Sequence, residues 1–186
     1  MSGAAAAPDP AVVLDFWFSE LQPGDWYRRD PVLDQRISAR FSALHGAAIR
    51  CELHAWRASP GGRLAEILVL DQFSRNIFRD LADAFASDGM ALCLSQEAIA
   101  AGAPAALSPV ERAFLYMPFM HSESPLVHEQ AVTLYSEAGL EYNLQFELRH
   151  KAIIDRFGRY PHRNAILGRQ STAGELEFLQ QPGSSF

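Results

Sequence analysis

Along this chain apolar residues recur at three- and four-residue spacing, and strictly alternating runs are nearly absent. That periodicity predicts helices. They are expected near 9–20, 31–51, 62–79, 87–101, 109–120, 125–138, 141–157 and 172–180, with a further turn at 53–58. The starts are marked chemically. Asp9-Pro10 and Asp30-Pro31 each place a capping side chain before a proline at the first helical position. Ser108-Pro109-Val110-Glu111 adds a capping box, Thr172-Ala173-Gly174-Glu175 is another, and Ser124-Pro125 is a further start. Gly24, Gly102, Gly139 and Gly158 mark stops. Asp88-Gly89 is followed by helical material, so it does not read as a hairpin. The fold class is therefore all-α, built of antiparallel helix pairs with short loops, as in a bundle or solenoid. No internal period with tetratricopeptide consensus spacing occurs. Residues 1–8, rich in alanine, are expected to fray, and 9–186 to form a single all-helical domain.

The predicted helix at 62–79 is apolar on nearly every side. Asp71 and Arg75 both fall within about 20° of Leu64, inside the most apolar sector. Leu70, Phe73 and Ile77 form an opposite apolar sector, shared with Glu66, and Gln72, Asn76 and Arg79 take the remaining polar stripe. A carboxylate and a guanidinium thus stand where leucine is expected. Burying them has a desolvation penalty of several kcal/mol per ion. Either they lock helix packing as a satisfied pair, or they face a pocket.

Composition bounds the rest. The 186 residues are 48% hydrophobic and 20% charged, an ordinary globular balance. No apolar run reaches the roughly 20 residues of a membrane span. MSGAAAAPDP has no basic or apolar region typical of a secretory signal. Two cysteines, Cys51 and Cys93, make neither a disulfide framework nor a zinc cluster and read as packing residues. Together these features point to a cytoplasmic protein with no membrane partner. The net charge of −6 disfavours nucleic acid as a partner. The charge is uneven, however. Residues 149–169 hold Arg149, Lys151, Arg156, Arg159, Arg163 and Arg169 against Asp155 alone, so this segment carries +5 and the remainder −11. Arginine offers a planar fork suited to carboxylate or phosphate.

Three histidines are candidates to join this chemistry. His121 follows FLYMPFM, where Pro118 must kink or end the helix and leave a polar knot with Ser122 and Glu123. His162 sits in RYPHRN, just past the stop at Gly158. His150 lies beside the stripe of Phe146, Ile153 and Phe157, where a core role with one satisfied nitrogen is the commoner outcome. HExxH, paired CxxC, GxSxG, P-loop and GxGxxG motifs are all absent. No metal site and no cofactor is expected. Gly168 to Thr172 leads into the final helix, whose N-terminus offers N–H groups to an anion, with Arg169 and Ser171 at hand. Plain capping by Ser171 or Thr172 accounts for the same residues without a ligand.

VLDFWFSEL, LAEILVLDQFSRNIFRD, FLYMPFMHSES and RFGRYPHRNAILGRQST resemble the signature blocks of the domain of unknown function 924 family, over nearly the whole chain from Val12 to Phe178. The resemblance implies an all-helical fold related to the tetratricopeptide-like superfamily, and no established reaction. Ser74 stands where the family usually shows proline, and Asp80-Leu81 replaces a usual Gly-Thr. Asp71, Gln72, Arg75 and Asn76 are left in place.

Two functional classes follow from the residues. In the first, a pocket takes a small anionic ligand bearing phosphate or carboxylate. Arg75, Asn76, His150, Arg156, Arg159, Arg163, Asn164, Arg169 and Ser171 bind it. His121 or His162 is the general acid or base, and Glu123 or Asp71 orients it. In the second, a concave helical surface binds a peptide or partner protein and the polar residues form a structural network. Convergence of these side chains on one hollow favours the first; scatter along an open groove favours the second.

Overall fold

The structure, a computed structural model, describes residues 8–185. Among the described residues there is helix and no strand. Helix α1 (Ala11–Asp15) runs directly into a π-helical turn (Phe16–Glu20). α2 (Pro31–Ile49) follows, then α3 (Pro60–Leu68), a second π-helical turn (Val69–Phe73) and α4 (Ser74–Ile77). α5 (Asp88–Ala100), α6 (Pro109–Leu115), α7 (Met117–Met120), α8 (Pro125–Tyr135), α9 (Glu141–Phe157) and α10 (Ala173–Phe178) complete the chain. Short 3₁₀ turns bridge several of them, including His54–Ala58, Ala82–Phe85 and Pro161–Arg163.

The capping chemistry operates as its residues predict. Asp9 accepts from the Ala11 N–H at 2.9 Å, and Asp30 from Val32 at 2.9 Å. Ser108 with Glu111 and Thr172 with Glu175 form complete capping boxes. Gly158 ends α9 at φ +68°, a left-handed conformation that costs other residues a Cβ clash. The central helix begins earlier than its apolar pattern indicates. Ser59-Pro60 carries the same start signal, and the Ser59 hydroxyl accepts from the Gly62 N–H at 3.1 Å. Residues 1–7 of the expected frayed stretch lie outside the described residues. Pro8 is described, and its carbonyl accepts the Trp56 indole N–H at 2.9 Å.

The core explains why the molecule is arranged around α3. Leu64, Ala65, Ile67, Leu68, Val69, Leu70 and Phe73 are all fully buried. α1, α2, α5 and α6 surround them. Phe16, Phe41 and Phe73 meet with ring centroids 4.7–6.0 Å apart. Trp17 and Trp56 are buried and Trp26 partly so, as core tryptophans should be. A helix apolar on every side has to be covered on every side. α8 packs on α9 as a pair, and a smaller cluster of Ile153, Ile154 and Tyr160 sits with Phe157 and Phe178 toward the C-terminus. These helix pairs are consistent with the tetratricopeptide-like arrangement that the resemblance implies. The cysteines are corrected: both are exposed, Cys51 in a left-handed conformation just past α2 and Cys93 on the outer face of α5. No helix among the described residues is long and apolar enough to cross a membrane.

Candidate active site

The central helix carries the first half of the site. Asp71 lies in the π-helical turn, where each residue advances the helix by a smaller angle than in an α-helix. π-bulges of this kind recur at functional sites. The slower phase swings Gln72 off its expected polar stripe and into the interior, where its amide donates to Asp71 at 2.6 Å. Asn76 and Arg79 stay on the outer stripe and both donate to Asp34, Asn76 at 2.8 Å. Asp71 itself is buried, with Arg75 Nη1 at 2.9 Å from its carbonyl and 3.2 Å from its carboxylate. Glu66, on the opposite face, is held bidentately by Arg57 at 2.6 and 2.7 Å.

The second half comes from the proline kink. α6 stops at Leu115 and α7 restarts at Met117, because Pro118 cannot donate to the Phe114 carbonyl. The restart places His121 at the end of α7 and aims Nδ1 at Asp71 Oδ1, 2.7 Å away. With Nδ1–H donating to the carboxylate, Nε2 is left as the lone-pair nitrogen. It has no partner among the described residues, and His121 lines a cleft of about 500 Å³.

Arg163, His128 and Arg169 fix the turn that bears His121. Arg163 Nη2 donates to the His121 carbonyl at 3.0 Å, and His128 Nε2 to the Ser122 carbonyl at 2.8 Å. Arg169 grips the Glu123 carboxylate with Nη1 at 2.6 Å and Nη2 at 2.9 Å. Glu123 also accepts the Tyr160 N–H at 2.8 Å. Beneath the turn, His128 pairs with Glu147 at 2.6 Å, both fully buried. His128 Nε2 must carry a hydrogen to donate to a carbonyl. The pair therefore shares one further proton and is neutral overall.

Asp88, the first residue of α5, closes the constellation. It takes Arg75 bidentately at 2.9 and 3.1 Å and Arg163 Nη1 at 3.1 Å. The two guanidinium groups also face the Phe85 ring, 5.7 and 4.6 Å from its centroid. Asp88, Phe85, His121, Glu123, Arg163 and Leu167 all line the cleft. Its size suits a small ligand. Sequence reading passed over Asp88 and Phe85. The signal available was a helix start at Ser87-Asp88, which says nothing about a partner 75 residues further on.

Several expected site residues lie elsewhere. Asn164 accepts from Arg169 at 2.9 Å and donates to Ser171 at 3.0 Å, so these three brace one another behind Glu123. Arg159 holds Glu175 at 2.6 and 2.8 Å. Arg156 lies over Phe157, 4.6 Å from its centroid. His150 is buried, its Nδ1 on the Phe146 carbonyl at 2.8 Å. His162 packs against Tyr160, ring centroids 5.6 Å apart, and does not line the cleft. The expected anion cradle before α10 is instead occupied by its own capping box, with the Thr172 N–H on Glu175 at 2.7 Å. The arginines expected at one anion site do not share an open hollow. Arg75, Arg159, Arg163 and Arg169 are each spent on an internal carboxylate. Among the described residues no group of three or more histidine, cysteine or acidic side chains is arranged to hold a metal.

The electrostatics define a resting protonation state. Burial pushes the His121 pKa down and the positive charge of Arg75 pushes it further, against the opposing pull of Asp71. Burial alone would raise the Asp71 carboxyl. Arg75, His121 and Gln72 together hold it well below the usual carboxylate range. At neutral pH the pair is a carboxylate and a neutral imidazole. Arg75, Arg163 and Arg169 balance Asp71, Asp88 and Glu123, so this set has no net charge. Asp83, exposed on the cleft wall, adds one negative charge.

The site is thus a buried carboxylate hydrogen-bonded to a histidine at the wall of a cleft, carried on an all-helical frame. The chain belongs to the DUF924 family, described as bacterial protein of unknown function, whose model matches residues 13–183. It is similar to a protein of unknown function from Agrobacterium tumefaciens of solved structure. That chain is 38% identical, with a TM-score of 0.87, and the match covers 92% of this chain and 96% of the other. No curated protein matches the chain.

Proposed function

We propose that the cleft binds a small polar molecule and that His121 moves a proton to or from it. The observation that carries this reading is the 2.7 Å contact between Asp71 Oδ1 and His121 Nδ1, which leaves Nε2 as a base in the cleft. Asp71 is a positioning residue: it fixes the tautomer and stabilises the imidazolium that forms after proton uptake. Arg75 keeps Asp71 ionised, and the clamp of Arg163, His128 and Arg169 on 121–123 keeps the ring in place. Such preorganisation is worth having only where geometry matters to chemistry. His162 and Glu123 have no direct part in this step. The expected phosphate or carboxylate would have to reach Arg163, the one guanidinium among the described residues that line the cleft, and compete with Asp88 for it. The alternative, a protein-interaction module, draws on an open apolar groove of about 390 Å³ between α5 and α8, lined by Ile99, Phe119 and Leu134. Of the polar residues expected at a site, His121, Glu123 and Arg163 line the cleft and none lines that groove, so the ligand reading takes precedence.

The test is a turnover screen of a broad metabolite panel read by mass spectrometry, with the wild-type protein, His121→Gln and Asp71→Asn. A compound altered by the wild type and untouched by His121→Gln is expected. Asp71→Asn should shift the acid limb of the pH profile to lower pH, since Asp71 raises the His121 pKa. A panel in which nothing is bound or altered, or a reaction indifferent to His121, refutes the reading.

A further inference from the structure

Arg75 and Arg163 converge on one point. Both reach Asp88 Oδ2, each at 3.1 Å, and both face the Phe85 ring. Two guanidinium groups this close repel each other unless an anion sits between them. Burial, followed by the charge of Arg75, pushes the Arg163 pKa down from its ordinary value. Arg163 is 5% exposed, and its Nε is buried without a partner among the described residues. The pair therefore has the composition of a carboxylate or phosphate site, with donor capacity left over. The chain fills that site itself. Asp88 is rigidly placed at the first turn of a 13-residue helix, whose N-terminal dipole also favours its negative charge. It is not on a loop that could swing away. Asp83 and Glu123 add carboxylates to the same wall.

We infer that Asp88 determines the specificity of the cleft: it occupies the two-arginine anion site permanently, so that the cleft takes uncharged or cationic polar molecules and rejects anionic ones. An incoming carboxylate or phosphate meets a resident carboxylate, and like-charge juxtaposition of that kind suppresses binding. Rejection by a repulsive group is a normal route to specificity. The inference rests on the cleft being the ligand site. It narrows the substrate class to alcohols, amides, amines and similar compounds that Nε2 of His121 can deprotonate or protonate.

The experiment is calorimetric titration with inorganic phosphate, at constant ionic strength, of the wild-type chain, Asp88→Ala and Asp88→Ala with Arg163→Met. The wild type should show no saturable binding in the millimolar range. Asp88→Ala should bind phosphate at least about tenfold more tightly than the wild type, and Arg163→Met should abolish the gain. Asp88→Asn, nearly the same shape without the charge, should gain in the same direction and serves if the alanine variant does not fold. Phosphate binding to the wild type as tight as to Asp88→Ala overturns the inference. So does a folded Asp88→Ala or Asp88→Asn protein with no gain. The titration reports on Arg75 and Arg163 alone. Its outcome is therefore separate from whether His121 transfers a proton.

Discussion

Acidification from pH 7 to pH 5 should destabilise this protein by about 4 kcal/mol through two histidines alone. Burial lowers the His150 pKa to about 3 and the His162 pKa to about 4. In the unfolded chain both return to about 6.5. Between the folded and unfolded values the unfolded state binds more protons, so stability rises with pH across that window and falls as pH drops below 6.5. At pH 5 both rings are neutral when folded and protonated when unfolded. The loss is then set by the 1.5-unit gap between 6.5 and 5, about 2 kcal/mol for each ring at 1.36 kcal/mol per unit. His45 and His121, lowered by burial too, act with the same sign. Glu147, raised by burial, opposes them, because its protonated form is favoured in the fold. Carboxylates held low, such as Glu123 and Glu175, lose their contribution only below about pH 4.5 and so add nothing to the fall within this window. For a domain of this size the effect is a fall in Tm of about 8–16 °C. Urea denaturation at pH 7, 6 and 5 measures it, with His150→Asn and His162→Asn as controls that should each remove about half. Stability that is flat from pH 7 to pH 5, or an undiminished fall in the double variant, refutes the burial argument.

The buried His128–Glu147 pair makes a second prediction: His128→Leu or Glu147→Leu alone should cost about 3–5 kcal/mol, while the double variant costs much less than their sum. A denaturation cycle checks it, and strictly additive losses would mean that the 2.6 Å contact couples nothing. Glycine substitutions give a third. An added Cβ at Gly62 would stand 2.0 Å from the Trp56 carbonyl, so Gly62→Ala should lower stability by several kcal/mol. Gly89, inside α5 with nothing within 4 Å of the added Cβ, should gain up to about 1 kcal/mol as alanine. Thermal melts of the two variants moving in the same direction would contradict that contrast.

Helix identity was legible because its signals are local. Each predicted segment corresponds to helix, and α9 spans Glu141–Phe157 as its apolar stripe and Gly158 indicate. One boundary failed where a local signal was read past another, at Ser59-Pro60, and some helices stop short of their expected ends, as at Ile49, Ile77 and Tyr135. The helical phase failed at 69–73 because a constant 100° per residue cannot represent a π-helical turn. Sequence periodicity carries no mark of that turn. Within that turn Gln72 is buried and its amide donates to the neighbouring Asp71 carboxylate.

The site divides along the same line. Asp71 and Arg75 could be singled out, since a charge within an apolar face is visible in one segment. What they are for could not, because function is decided by pairing, and the partners lie far away in the chain. Asp71 meets His121 across 50 residues, Arg163 meets Asp88 across 75, and Arg169 meets Glu123 across 46. A surplus of arginine in 149–169 reads as an anion site only if those arginines are free. The carboxylates that neutralise them sit in the acidic remainder of the chain, and the −11 there is the counterpart of the +5, not its opposite in function. Around the cleft Arg75, Arg163 and Arg169 are matched by Asp71, Asp88 and Glu123, Asp83 adds one negative charge, and neutral His121 keeps an unpartnered ring nitrogen.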